Sequence, residues 1–364
     1  MARRLLILGA LITVVAGFIF LRGPIPHISI KAETLTELGP VAVTNTMFTS
    51  WLVVATLVIG VLLMTRRWEI VPRGAQNFIE AIVEAFYNLV VSVAGEKNGR
   101  RFFPVVATIF FFVLASNWLS LLPVFNVIGK VQEEEHGFVM ERQTGVGPFD
   151  VTYVPLSNPG RLSGDSIDEE DADAHAVYEK AIEEGKAVGE LIPFLRGPNT
   201  DLNTPLALAI ISAIAVESWA ISSLGLFTYG RKFINFGGAF RGLFKLNFGM
   251  FFQGVIDAFV GILELISELV RLVSFTFRLF GNMFAGEVVI LMFTFMTPLL
   301  ITDILYGLEL FVGVIQAFIF AMLTLVFGMM AVAHGEHEGH GAEEKHGAGE
   351  NAPHGEMETA QEPV

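Results

Sequence analysis

Cysteine is absent from all 364 residues, which excludes disulfides, thiolate metal sites and thiol redox motifs but leaves the compartment open. Charge is scarce too. Asp, Glu, Lys and Arg make up only 16% of the chain, against about 25% in a soluble average. There is no Walker-type Gly-Lys-Ser/Thr run, so nothing points to a P-loop nucleotide site. No internal repeat is visible by eye, which weighs against the paired broken-helix repeats of many secondary transporters. Apolar residues are abundant: 53% of the chain is hydrophobic and the mean hydropathy is +0.59. That composition is a membrane protein's.

A net charge of −14 looks inconsistent with a lipid-embedded chain until it is divided by region. Residues 130–200 hold 15 acidic against 6 basic groups, or −9, and residues 333–364 hold 8 Glu against one Lys, or −7. The remainder carries 16 basic and 14 acidic groups, or +2. The acid therefore sits in one insertion and one tail.

A hydrocarbon core of about 30 Å needs roughly 20 apolar residues in helical form. Leu5 to Leu21, behind Arg3 and Arg4, is either a first, uncleaved span or a signal peptide. Thr46 to Met64 is closed by Arg66 and Arg67, and Phe102 to Ile128 follows Arg100 and Arg101, with Pro123 marking where that helix ends. Leu202 to Gly230 is interrupted only by Glu217 and leads into Arg231, Lys232, Arg241 and Lys245. Lys and Arg favour short cytoplasmic loops. If each run crosses once, the basic clusters share one side, with the amino terminus and tail inside and residues 130–200 outside.

Between Arg73 and Ala94, Phe78, Ile82, Phe86, Leu89 and Val93 recur at helical spacing opposite Asn77, Glu80, Glu84 and Asn88. The pattern predicts a helix on the cytoplasmic membrane surface, the alternative being a helix packed on another element. The external insertion has turn-rich pieces and a short helix from Ala172 to Glu190. The tail after Ala333 carries His334, His337, His340, His346 and His354 among Gly and Glu; it reads as a disordered, solvating segment more than as a metal site.

From Phe248 to Ala333, Asp257, Glu264, Glu268, Arg271, Arg278, Glu287, Asp303 and Glu309 punctuate apolar sequence. Each such group costs at least ~2.5 kcal/mol at a bilayer centre, so it faces a bundle interior or a water path, pairs internally, or snorkels. Glu264, Ser267, Arg271, Ser274, Arg278 and Asn282 lie at intervals of 3, 4, 3, 4 and 4, which is one helical stripe. Glu287, nine residues past Arg278, projects about 180° away and about 13 Å along the axis. Glu309 and Gln316 share a face of the next helix and are expected opposite Glu287. Arg stays protonated, so it cannot relay protons, but it blocks a direct leak and draws a partner's carboxylate into its charged form.

The stretches RLFGNMFAGE (Arg278 to Glu287), QAFIFAMLTLVF (Gln316 to Phe327) and DLNTPLALAI (Asp201 to Ile210) resemble subunit a of the F-type ATP synthase, the stator against which the c-ring rotates. The resemblance covers roughly residues 35–333, apart from much of 130–200. It implies an all-α, polytopic fold of five to six membrane helices. The last two would be long and strongly tilted, at about 250–295 and 302–333, with a break at Pro298. Arg278 would be the stator arginine facing the ring carboxylates. Asn282, Glu287 and Gln316 would line the half-channel open to the outside, and Ser267 and Ser274 the cytoplasmic one, with Glu264 at its mouth. Asp201 and Asn203 stand where the insertion re-enters the membrane. They line the channel mouth, or Asn203 or Thr204 caps a helix before Pro205. The c-ring, the peripheral-stalk subunit b, lipid and protons would be the partners, with no cofactor, metal or nucleic acid, and the site would be a bacterial plasma membrane. The protein would have no catalytic site of its own.

One position departs from the family. Many bacterial relatives have His where Glu309 stands, and others pair Glu there with a His near position 286, which here is Gly286. Glu309 is accordingly expected to relay protons with Glu287, Asn282, Gln316 and water, unless it only hydrogen-bonds its neighbour. The chain thus divides into an extra span (1–45), a core span with surface helix and second span (46–129), the acidic insertion (130–200), the channel helices (201–333) and the tail (334–364). A stand-alone transporter or channel is the competing reading; it leaves Arg278 on its seam unexplained.

Overall fold

The computed structural model describes residues 28–66, 69, 72, 74–146, 149–153, 166–167, 174–226, 229–230, 248–296 and 301–347, with Gly9, Leu11, Ile12 and Val15 near the amino terminus. The first apolar run falls almost wholly outside them. So do the basic cluster Arg231 to Lys245, Pro298 and the chain beyond 347.

A hairpin of β1 (Thr34–Leu38) and β2 (Val41–Thr44) leads into α1 (Asn45–Met64). The Thr44 side chain caps α1 by accepting from the Met47 N–H at 3.3 Å. Next comes α2 (Ala75–Ser120), which is two helical arms joined at Gly95, whose φ of 71° only glycine adopts freely. The arms fold back on one another: the Phe86 ring stacks on Phe110 at 4.5 Å, and Tyr87 meets Phe103 edge-on at 5.1 Å. Gly99 lies so near Val91 that a Cβ there would come within 3.0 Å of its Cα.

This hairpin revises the surface-helix reading. The line that packs inward is Gln76, Phe86, Val90 and Ala94, whereas Phe78 stays 62% exposed and Ile82 and Val93 also face out. The first arm thus packs on the second, and only part of its apolar arc is left for a membrane surface.

The described residues between 129 and 193 are rich in β-strand, which helical periodicity did not reveal. β3 (Gly129–Val146) pairs antiparallel with β4 (Phe149–Tyr153), β5 (Ser166–Ile167) and β6 (Ala187–Pro193), the β6 ladder running from Gly129 opposite Pro193 to Met140 opposite Ala187. The short helix, α3 (Ala174–Glu183), stops earlier than expected. Gly185 takes a φ of 74°, the Lys186 N–H donates to the Ala181 carbonyl, and the chain reverses into β6.

A 3-10 turn (Pro198–Thr200) precedes α4 (Asn203–Leu224), and the chain ends its described part in α5 (Phe248–Met296) and α6 (Ile301–Gly347). Six α-helices are present among the described residues, and α1, α2, α4 and residues 301–333 of α6 are long and apolar enough to cross a membrane. At 49 residues, α5 would be about 74 Å long if straight, more than twice an upright crossing. α6 continues past the expected end at Ala333.

α6 packs against the second arm of α2, against α4 and against α5. Phe102 stacks on Trp219 at 4.1 Å, over Gly328, where a Cβ would lie 2.7 Å from the indole. Ile109, Val113, Leu208, Leu279 and Phe320 fill the next layer. Ser212 and Thr324 share a buried hydroxyl hydrogen bond of 2.8 Å. Lipid removes most of the hydrophobic drive between helices, so small residues and interhelical hydrogen bonds of this kind hold such a bundle.

Candidate functional site between the last two helices

α5 and α6 meet through polar rungs. The Asn282 amide donates to Gln316 Oε1 at 2.7 Å, and Gln316 is 2% exposed. One turn further along α5, Gly286 faces Glu309, which is seven residues, or about 10 Å, from Gln316. A Cβ on Gly286 would fall inside the Glu309 carboxyl group. The missing side chain at 286 therefore makes room for the carboxylate at 309, which gives the departure noted in the sequence a steric cause.

Glu287 does not lie opposite Glu309 and Gln316; Gly286 and Asn282 do. Its carboxylate points to the root of the insertion. Oε1 accepts from the Asn126 amide at 2.9 Å, and Oε2 pairs with Arg196 Nη2 at 3.3 Å. Beside this pair the Asn199 amide donates to Asn117 Oδ1 at 2.8 Å, and the Asn117 amide donates to the Gly313 carbonyl at 3.3 Å, one turn before Gln316. Gln316 Nε2, Ser116 Oγ and Asn199 Oδ1 are buried without a hydrogen-bond partner among the described residues. Buried polar atoms of this kind are normally met by ordered water.

Arg278 has a different setting. It is partly exposed on α5 beside outward-facing Val273 and Phe277. Its Nη2 lies 3.5 Å from Ser274 Oγ, and its guanidinium carbon is 5.8 Å from the Phe275 ring centre. Among the described residues it has no carboxylate partner. Ser267 and Ser274 are exposed on the same helix, and Glu264 is half-buried. Arg271, on the same stripe, pairs internally: Glu268 Oε2 is 2.7 Å away, and the Phe327 ring lies 4.1 Å beneath its guanidinium.

Asp201 is 1% exposed and acts as the cap of α4. Its Oδ1 accepts from the backbone N–H groups of Asn203 at 2.9 Å and Thr204 at 3.3 Å, while Oδ2 accepts from the Thr46 hydroxyl at 2.6 Å. Capping thus belongs to Asp201 rather than to Asn203 or Thr204, and Asn203 is exposed. The same carboxylate ties the starts of α1 and α4 together. Arg196, Asn126, Asn117 and Asn199 were not singled out from sequence. The only signal at Arg196 is a lone cation after the apolar run Leu191 to Leu195, at the end of an insertion whose other charges read as solvated.

Fold and site define a polytopic helical membrane protein that sequesters a line of polar groups between two long helices. The sequence model of the family described as ATP synthase A chain matches residues 47–328. The chain belongs to that family. It is similar to ATP synthase subunit a of Moorella thermoacetica, 27% identical over 298 residues that cover 82% of this chain and 95% of the relative. It is also similar to ATP synthase subunit a of Gloeobacter violaceus, 28% identical over 306 residues that cover 83% and 89%. A third relative, from Trichlorobacter lovleyi, is 27% identical over 309 residues.

Proposed function

We propose that this chain is the proton-conducting stator subunit of a rotary F-type ATP synthase. It sits in a bacterial plasma membrane with the β-rich insertion outside and the tail inside, against the c-ring and the peripheral-stalk subunit b. The observation that carries the proposal is Arg278: within the family match, it is a partly exposed arginine on an apolar helix face with no carboxylate of its own among the described residues.

Protons from outside pass the insertion end of the α5–α6 seam, where Glu309, Asn282 and Gln316 line the seam, Glu287 stands at its edge and the unpartnered Gln316 Nε2 is suited to water. They load a ring carboxylate facing α5. Ser274, Ser267 and Glu264, spaced along the exposed stripe toward the other end of α5, form the second half-path, to the inside. Arg278 stands between the two. It stays protonated, so it passes no proton itself, and its charge favours the ionised ring carboxylate. A loaded carboxylate must therefore give up its proton to the inner path as it approaches, and reloading requires the ring to turn. Asp201 fastens the helices at the mouth rather than carrying protons.

The test is proton-driven ATP synthesis by the whole complex in liposomes. Arg278→Ala should abolish synthesis while the complex still assembles. Synthesis at the wild-type rate would remove Arg278 from the mechanism.

A further inference from the structure

Arg196 lies three residues past β6, outside the apolar helices, yet its side chain is only 7% exposed and that of Glu287 12%. Its guanidinium makes three hydrogen bonds among the described residues. Nη1 donates to the Lys31 carbonyl at 3.2 Å; Nη2 donates to the Ser29 carbonyl at 2.5 Å and to Glu287 Oε2 at 3.3 Å. The Arg196 backbone N–H donates to Thr49 Oγ1 at 3.3 Å. The second donor to Glu287 is tied to the first, because the Asn126 N–H donates to the Leu195 carbonyl at 3.0 Å, next to Arg196. Asn126 holds a φ of 59°, a left-handed conformation that asparagine tolerates better than most residues. Asn126 and Arg196 thus converge on the Glu287 carboxylate, and Ser29, Lys31 and Thr49 hold Arg196 in place.

The rest of the site shows what this convergence does. Glu287 is one residue past Gly286, so it projects about 100° around α5 from the position that faces Glu309. Arginine only donates hydrogen bonds, so the pair fixes Oε2 as the acceptor and points the carboxylate toward Arg196. A buried carboxylate left without its cation is strongly unfavourable.

We propose that Arg196 is a positioning residue for proton translocation: by its ion pair it anchors Glu287 to the insertion root, so that protons crossing the outer seam load Glu309 beside the Asn282–Gln316 rung. The inference rests on the proton path proposed above. It makes the base of the external insertion part of the conducting unit, whatever the outer strands do.

The experiment measures proton-driven ATP synthesis per assembled complex in liposomes for Arg196→Gln and Arg196→Lys. Gln keeps an amide donor without charge, and Lys keeps the charge with fewer donors. Arg196→Gln should fall about tenfold and Arg196→Lys should stay within about threefold of wild type. Wild-type synthesis with Gln, or equal losses in both variants, would overturn the proposal, since clamping the Ser29 and Lys31 carbonyls needs no charge. If Arg196→Gln lowers the amount of assembled complex, adding Glu287→Gln should restore it by removing the stranded carboxylate; failure to restore would also overturn the proposal. Arg278→Ala is run alongside. Retained synthesis in that variant sinks the stator reading itself, whereas its loss together with wild-type behaviour of Arg196→Gln sinks only the role of Arg196.

Discussion

The insertion end of the α5–α6 seam and the middle of α5 treat their charged and polar groups in opposite ways. At the insertion end, both oxygens of Glu287 are held, Asn282 is bonded to Gln316, and Glu309 fits the space above Gly286. At the middle, Arg278 makes one long contact to Ser274 and rests near a phenyl ring. Arg271, two turns away on the same stripe, has both an ion pair and a ring beneath it. An unpaired cation on an apolar face is costly in lipid, so its counter-charge is expected on a partner. Glu287 and Arg271 are paired within the chain, whereas Arg278, the charge proposed to meet the moving ring, has no carboxylate partner among the described residues.

The largest test of that contrast is Arg278→Ala, expected to abolish proton-driven synthesis; Arg271→Ala should reduce it far less, because the Arg271 charge is already paired. Equal losses would erase the distinction. Next, Glu309→Gln and Gly286→Ala should each lower proton flux about tenfold or more, the first by removing the proton-carrying group and the second by driving a methyl into it. Wild-type flux in Glu309→Gln would take Glu309 out of the path. Gly328→Ala bears on the fold rather than the path: its methyl meets the Trp219 ring, and such overpacking costs about 1–3 kcal/mol. It should lower the thermal unfolding midpoint while flux per assembled complex is kept, and an unchanged midpoint would mean the ring moves aside freely. Asp201→Ala should cost about 1–2 kcal/mol through the lost cap, read in the same melt; a selective fall in flux at unchanged stability would instead return Asp201 to the channel. Smallest of all, Ser274→Ala removes a hydrogen bond at the 3.5 Å limit and should leave synthesis within about twofold. A tenfold loss there would mean that the inner half-path runs through that hydroxyl.

Much of this was readable in one dimension. Apolar runs mark α1, the second arm of α2 and α4, because lipid demands continuous helix of a fixed length, while the bounds of α5 and α6 came with the family resemblance. The stripe from Glu264 to Asn282 follows from helical spacing alone. The paired arms of α2 did not follow: Gly95 breaks the pattern, but which face then folds inward depends on Phe110 and Phe103, in the other arm. The β-rich insertion escaped for a similar reason, since β6 is seven residues long and its ladder partner lies some fifty residues earlier.

What the sequence by itself determined is which segments can live in a membrane, where the surplus acid lies, and that an always-charged arginine sits on a polar stripe, because each of these depends only on composition or on the pitch of a helix. Which polar groups meet was decided by tertiary structure. Glu287 is joined to Arg196 from 91 residues away and Asp201 to Thr46 from 155. Glu309 occupies the place of a side chain that Gly286 lacks. Pairings of this kind arise from packed helices and a folded-back loop, and no local pattern encodes them.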